Sequence, residues 1–383
     1  VVFAGSAVAF SLFGDMAMYT ILPTHFEALG LLPIQVGLLL SVNRWIRLVT
    51  NRAAERLLSR YNRSILFGAA LGTGALLAAI YAAAPPFMLL LLARLLWGFC
   101  WSILRLSGTM IAVESSTKET IGKILGFYHA FVRFGFLTGT LLGGLFFDLA
   151  GYRGAFLMMA ACTAAGIPFA LSAHTRGRVS AGGAPREKGH ITFDMRFQGF
   201  ILGAVGSGII MSTLGNVLST AVDGGGVRIG GILIGIATIN GIMLASRHLI
   251  GIAGSPFLGS IVDRIGIRKS LPAFFAVAGT ALGISILKLP PLLLVIPVIV
   301  FFLCETALQI TLSAEAGRGG PVKYSRFASA QDLGSACGPL IGWGILQFTS
   351  ISRTVFAAGA LLYLIAAVVM TKKRREPLDR SAP

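Results

Sequence analysis

Twelve apolar runs, each about as long as a bilayer is thick, constrain this chain more than any other feature. They span 2–25, 32–51, 65–84, 86–113, 124–147, 152–173, 198–221, 228–252, 270–288, 290–314, 327–349 and 353–371. Crossing the hydrocarbon core by helix takes about 20 apolar residues. Lipid offers no partner to backbone N–H and C=O groups, so a run of that length must satisfy them internally, as a helix does. Apolar residues make up 55% of the chain and charged residues 12%, with a mean hydropathy of +0.81. A water-soluble core could not hide that much apolar surface. Disordered, coiled-coil and soluble-enzyme classes are thereby excluded.

The runs fall as six and six around a polar stretch, 174–197, that opens HTRGRVSAGGAPREKGH. Its Gly, Ser, Pro and charge content reads as a flexible linker. The expected organisation is a six-helix bundle over 1–173, the linker, a second bundle over 198–371, and a tail over 372–383. A net charge of +17 could point to nucleic acid, so the position of the charges decides. If the first residue is cytoplasmic, loops and tail on that side hold 22 Lys and Arg, and the other side holds only Arg153, Arg228, Lys288 and Arg353. Cytoplasmic loops of membrane proteins carry this excess. Both termini are therefore expected in the cytoplasm, with the chain multi-pass in the cell inner membrane and nucleic acid no partner. The first run carries polar residues of its own and reads as a span rather than a cleaved leader. Cys100, Cys162, Cys304 and Cys337 sit inside apolar runs without metal-ligand spacing and read as packing residues.

The halves resemble each other. At an offset of 204, Asn43 and Arg44 face Arg247 and His248; at 199, Gly135, Gly139 and Gly143 face Gly334, Gly338 and Gly342. Two parallel six-helix repeats imply a pseudo-two-fold axis along the membrane normal, with a binding site between the halves near the midplane.

After the eighth run stands GSIVDRIGIRK, residues 259–269. It is similar to the loop signature of the major facilitator superfamily, through Gly259, Asp263, Arg264, Gly266 and Arg268. Gly259 would permit close helix approach, Gly266 a tight turn, and Asp263 could pair with a base or a helix N-terminus. The first-half copy, ERLLSRYNR over 55–63, has Glu55 and Ser59 where Gly and Asp are expected. RLLWGF at 94–99 resembles the superfamily's Arg-x-x-Gln-Gly pattern with Trp97 in the Gln position, which by resemblance makes Arg94 a proton-transfer candidate. The Gly135, Gly139, Gly143, Gly144 series resembles its antiporter motif with Thr140 in place of Pro, and GYRGAF at 151–156 resembles its Gly-Trp-Arg-x-x-Phe turn. The resemblance implies an all-α membrane fold of twelve transmembrane helices in two pseudo-symmetric bundles, working by alternating access.

Ionisable residues inside the membrane are functional candidates by default, because burying them costs several kcal/mol. The acids are Asp15, Glu305 and Asp332, and the bases Arg44, Arg47, Arg94, Arg105, Arg133 and Arg247, with His129 and His248. Asp15 lies mid-run between Gly14 and Pro23, with Tyr19 one turn on. Desolvated, it could carry a proton; paired, it would be a fixed partner for a nearby Arg. Arg44, Arg47 and Asn51 form a stripe on the second span. The seventh run is rich in Gly, Ser and Thr and carries Asn216, either to line a cavity or to pack. Proton coupling is expected from Asp15, Arg94, Glu305 and Asp332. Substrate contacts are expected from Tyr19, Arg44, Arg47, Arg105, His129, Arg133, Asn216, Arg247 and His248. Excess positive charge in the spans suits an anion.

No phosphate-binding Gly-Lys-Thr loop, metal cluster or activated nucleophile is visible, so neither enzyme activity nor a cofactor is expected. The expected function is secondary active, proton-coupled transport of a small organic solute by a monomer in the bilayer, with export as the favoured direction. Proton-driven uptake of an organic anion is the alternative, and a non-transporting membrane sensor or assembly partner the reading from a different class.

Overall fold

Helix is the observed answer to the apolar runs. The computed structural model describes residues 1–117, 119–173, 193–222 and 225–373. Most of the expected linker (174–192) and most of the tail (374–383) lie outside the described residues.

Among the described residues the helices run as twelve lengths. Helix α1 is Val2–His25; α2 is Pro33–Trp45, continued after a break at Ile46 by Arg47–Arg60; α3 is Arg63–Ala82; α4 is Phe87–Glu114. Helices α5 and α6 lie within Ile121–Ala164, divided at Gly151, whose φ of 68° and ψ of −176° no helix accepts; Ile167–Ser172 follows. That stretch would be about 66 Å long if straight, twice a bilayer core, so the break at the expected GYRGAF turn makes two spans of it. Helix α7 comprises Phe193–Leu202, a π-helical stretch Gly203–Ile210, and Met211–Ala221. Helix α8 comprises Ile236–Leu249, a second π-helical stretch Ile250–Gly254, and Ser255–Ile265. Helices α9 to α12 are Ile267–Ser285, Pro291–Arg318, Pro321–Thr349 and Thr354–Lys373.

One expected boundary is corrected. The eighth run begins not with helix at 228 but with a hairpin, β1 Gly226–Ile229 paired antiparallel with β2 Ile232–Gly235. Gly230 and Gly231 turn it at φ of 57° and 85°, where a two-residue turn needs positive φ. The helix starts at Ile236 and runs on to Ile265, well past the expected end at 252.

Two compact units are formed. Among the described residues one holds 1–173 with 211–252, and the other 193–210 with 253–373. In the first, α1 is nearly enclosed, with Ala4, Val8, Leu12, Met16 and Tyr19 all buried. It lies directly on the glycine face of α5: a Cβ at Gly143 would stand 2.8 Å from Ala17 Cα, and one at Gly139 3.0 Å from Met16 Cβ. In the second, α11 lies as closely on α7, where a Cβ at Gly334 would stand 2.8 Å from Ala204 N. The glycine series matched between the halves thus serves the same packing in both places. Phe275, Phe301 and Tyr363 knit α9, α10 and α12, with ring centroids 5.2 and 5.6 Å apart. The outer faces stay apolar. Met88, Leu92 and Leu96 form an exposed stripe at helical spacing on α4, which lipid solvates and water would not.

Candidate functional site

Two polar groups in the first unit are built around the expected residues. The first joins α1, α2 and α4. Arg94 is fully buried and forms an ion pair with Asp15, whose side chain is 9% exposed. Arg94 Nε also donates to the Leu39 carbonyl at 2.9 Å, and Asn43 Nδ2 reaches Asp15 Oδ1 at 3.5 Å. Tyr19 and Tyr81 are electrostatic neighbours of the guanidinium. Tyr19 donates its hydroxyl to the Leu40 carbonyl at 2.8 Å, and the Arg44 guanidinium lies 5.5 Å from the Tyr19 ring centroid. Of the expected residues, the structure thus brings Asp15, Tyr19, Arg44 and Arg94 together. Arg47 lies half-buried one turn beyond Arg44, across the break at Ile46. Arg94 does not sit at a water interface; it is the buried counter-ion of Asp15.

The second group joins α4, α5 and α8. His129 has Arg133 and Arg105 as its charged neighbours, Arg133 has Arg247, and His248 has Arg247 and Arg133. Among the described residues, the charged neighbours given by the electrostatics of these three residues are arginines. The His248 ring stacks on Phe136 at 5.1 Å and 13°. Arg133 donates to the Gly251 carbonyl in the π-helical stretch of α8. Arg105 and His129 are exposed, and Arg133, Arg247 and His248 are half-buried. Guanidiniums gathered in one region repel one another, so an entering anion both pairs with them and relieves that repulsion. Arg94 and Arg105 are eleven positions apart on α4, about 16 Å along an ideal helix. The acid–base pair and the cationic group are thus separate places on one rigid element. Asn216, half-buried on α7, shares no hydrogen bond or ring contact with either group among the described residues.

The second unit holds the other two candidate acids. Glu305 on α10 is buried against α7, so close that Gly206 in the π-helical stretch has no room for a Cβ. One turn on, Gln309 and Gln331 exchange amide hydrogen bonds between α10 and α11, and Gln309 donates to Ser313 Oγ at 2.9 Å. Asp332 follows Gln331, half-buried. In the loop signature Gly266 takes φ of 82° and turns α8 into α9. Asp263, Arg264 and Arg268 are exposed, and Asp263 forms no ion pair among the described residues. The expectation that Gly259 lets a helix approach closely is corrected: a Cβ there would meet no atom within 4 Å.

A closing contact ties α8 to α1 and α5. Pro23 has no N–H to give the Tyr19 carbonyl one turn back. Asn240, fully buried on α8, donates its amide to the Thr20 and Tyr19 carbonyls at 2.9 and 3.4 Å. Asp148, at the end of α5, accepts from the Thr238 backbone N–H at 2.8 Å. Thr238 is the third residue of its helix, whose own N-cap, Gly235, offers no side chain. The cap is therefore supplied by a neighbouring helix, with a carboxylate at the positive end of the dipole.

A chain of long apolar helices of this kind is matched by known proteins. Residues 4–322 fit the family model described as Major Facilitator Superfamily. The chain belongs to that superfamily. No curated protein matches it. Among solved structures it resembles a bacterial homologue of the human lysosomal transporter Spinster, inward-facing and occupied, with a TM-score of 0.80 at 14% identity over 100% of this chain and 98% of that one. It also resembles the nucleoside transporter NupG, TM-score 0.77 at 14% identity over 97% and 98%. A POT family transporter in complex with a thioalcohol-conjugated peptide gives 0.72 at 14% identity over 98% and 96%. At that identity the likenesses speak for the fold. This member of the superfamily is an integral, multi-pass, all-α membrane protein and a secondary transporter of a small-molecule substrate.

Among the amides, the sequence reading of this transporter singled out Asn216 as a contact but not Asn43, Asn240, Gln309 or Gln331, which stand inside apolar runs as conspicuously as any charge. Asp148 lay one residue beyond an expected span and read as loop.

Proposed function

We propose that the protein is a proton-coupled, alternating-access transporter of a small organic anion, with export as the favoured direction. One observation carries the reading: on membrane helices, His129 has Arg133 and Arg105 as charged neighbours, Arg133 has Arg247, and His248 has Arg247 and Arg133. Arginine forks suit carboxylate and phosphate groups. Arg44 and Arg47 extend the basic lining along α2, and Tyr19 and Asn216 add polar contacts. Asp15 carries the proton, and Arg94 sets when it does so. Glu305 and Asp332 are the reserve acids of the second unit.

The two sequence halves, 1–173 and 198–371, are the moving bodies, with both termini in the cytoplasm of a cell inner membrane and one chain as the working unit. The Asp263 loop acts at one gate. Protons and substrate are coupled because each binds the alternating states with different affinity. The test is flux of a labelled organic anion in liposomes with and without an imposed pH gradient. Accumulation that follows the gradient supports the reading, and the direction of the effective gradient separates export from uptake. Movement of neutral or cationic solutes alone would overturn it.

A further inference from the structure

Helix α8 loses its regular winding at Ile250–Gly254, and the sequence says why. Pro256 stands in the first turn of the following segment. It has no N–H for the carbonyl four residues back, Ile252, and none for the carbonyl five back, Gly251, which a π-type turn would use. Gly251 and Gly254 add no side chain to stiffen the stretch. One of these two carbonyls is held from outside the helix: Arg133 on α5 donates to Gly251. Arg247, one turn before the stretch, is the charged neighbour of Arg133. The chain leaves the first compact unit at Ile252, inside this stretch, and had entered it at Met211, where the π-helical stretch of α7 ends. The two crossings that lie within the described residues therefore fall at π-helical winding, a form of helix frequent at functional sites.

We infer that Arg133 is a positioning residue that couples anion binding to the bending of α8. Without substrate its guanidinium pins the turn through the Gly251 carbonyl. A carboxylate or phosphate oxygen carries charge and a carbonyl does not, so the anion is the stronger acceptor. When it takes Arg133, the Gly251 carbonyl loses that donor and α8 bends more readily at 250–254. The same guanidinium thus reads the cargo and releases the hinge. This inference rests on the anion reading of the cationic group.

Hydrogen–deuterium exchange of the full chain in nanodiscs tests it, with benzoate and phenyl phosphate as probes and thermal shift as the separate measure of their binding. In the probe-free protein, Arg133→Gln raises amide exchange over 250–260 by about tenfold or more, the worth of one hydrogen bond to a charged group. Saturating probe raises the same amides in the wild type and leaves Arg133→Gln unchanged. Arg105→Gln weakens probe binding without altering exchange in the probe-free protein. Pro256→Ala restores a backbone donor, so Arg133→Gln in that background changes exchange less than threefold; this comparison holds even if Arg133→Gln alone is poorly folded. If a probe binds but exchange over 250–260 stays level, the coupling is overturned and the anion site stands. If neither probe shifts the Tm of the wild type, the anion reading falls and the coupling falls with it.

Discussion

At the scale of single residues, the Asp15–Arg94 pair decides what a proton can do here. A buried pair is stable only while both charges are present. Removing one partner leaves the other uncompensated, at about 3–5 kcal/mol. Asp15→Asn is therefore expected to lower the Tm of the purified protein and to abolish accumulation driven by a pH gradient, while counterflow exchange of substrate persists. The double variant Asp15→Leu with Arg94→Leu removes both charges and should recover most of the Tm without recovering the pH dependence. Full gradient-driven transport by Asp15→Asn would move the coupling to Glu305 or Asp332. Arg44 is a contrasting case. Its contact with the Tyr19 ring is worth about 1 kcal/mol or less at a half-exposed site. Arg44→Ala should weaken substrate binding, measured by thermal shift with the transported anion, at least tenfold. Unchanged binding would exclude Arg44 from the site.

Among the elements, α5 does most of the joining. Its glycine face seats α1, its end caps α8 through Asp148, and Arg133 holds the α8 turn. A cap is worth roughly 0.5–2 kcal/mol, and the exposure of Asp148 puts this one toward the low end. Asn accepts the same hydrogen bond, so Asp148→Asn should behave nearly as wild type, whereas Asp148→Ala should loosen the start of α8. Spin labels at the exposed positions 27 and 233 read this directly: Asp148→Ala should lengthen and broaden their distance distribution. Identical distributions in both variants would show that the cap holds nothing. On the glycine face, Gly143→Leu has no room against Ala17 and should cost about 1–3 kcal/mol or abolish insertion. Gly338→Leu, at the position matched to Gly139, has no room against α7 and should do the same to the second unit, as judged by Tm.

For the molecule as a whole, the charge bias predicts topology. A single cysteine placed in 174–197, in a background lacking the natural four, should react with an impermeant maleimide only after the cells are permeabilised. Labelling of intact cells would invert the orientation. Asp263→Asn should shift the balance of inward and outward states and cost flux more than Tm. Unchanged spin-label distances with normal flux would leave the loop signature without a gating part.

The sequence by itself determined the solvent, the helices and their packing faces. Each is a local property: a run of apolar residues must be a helix in lipid wherever it lies, and glycines four apart make a close-packing face whatever meets it. Gly151 and Gly266 likewise announced their turns, because positive φ belongs to the residue itself. The tertiary structure decided the pairings. Asp15 could as well have been a free carboxyl as the partner of Arg94, which lies 79 positions away on another helix. The carbonyls left short by Pro23 and Pro256 were countable in the sequence, but not that Asn240 and Arg133 would approach them. The hairpin before α8 looked like the start of a span because its residues are as apolar as a helix's. In each case a side chain's role depends on which helices are neighbours, and helix adjacency follows from packing the whole chain, which no local pattern encodes.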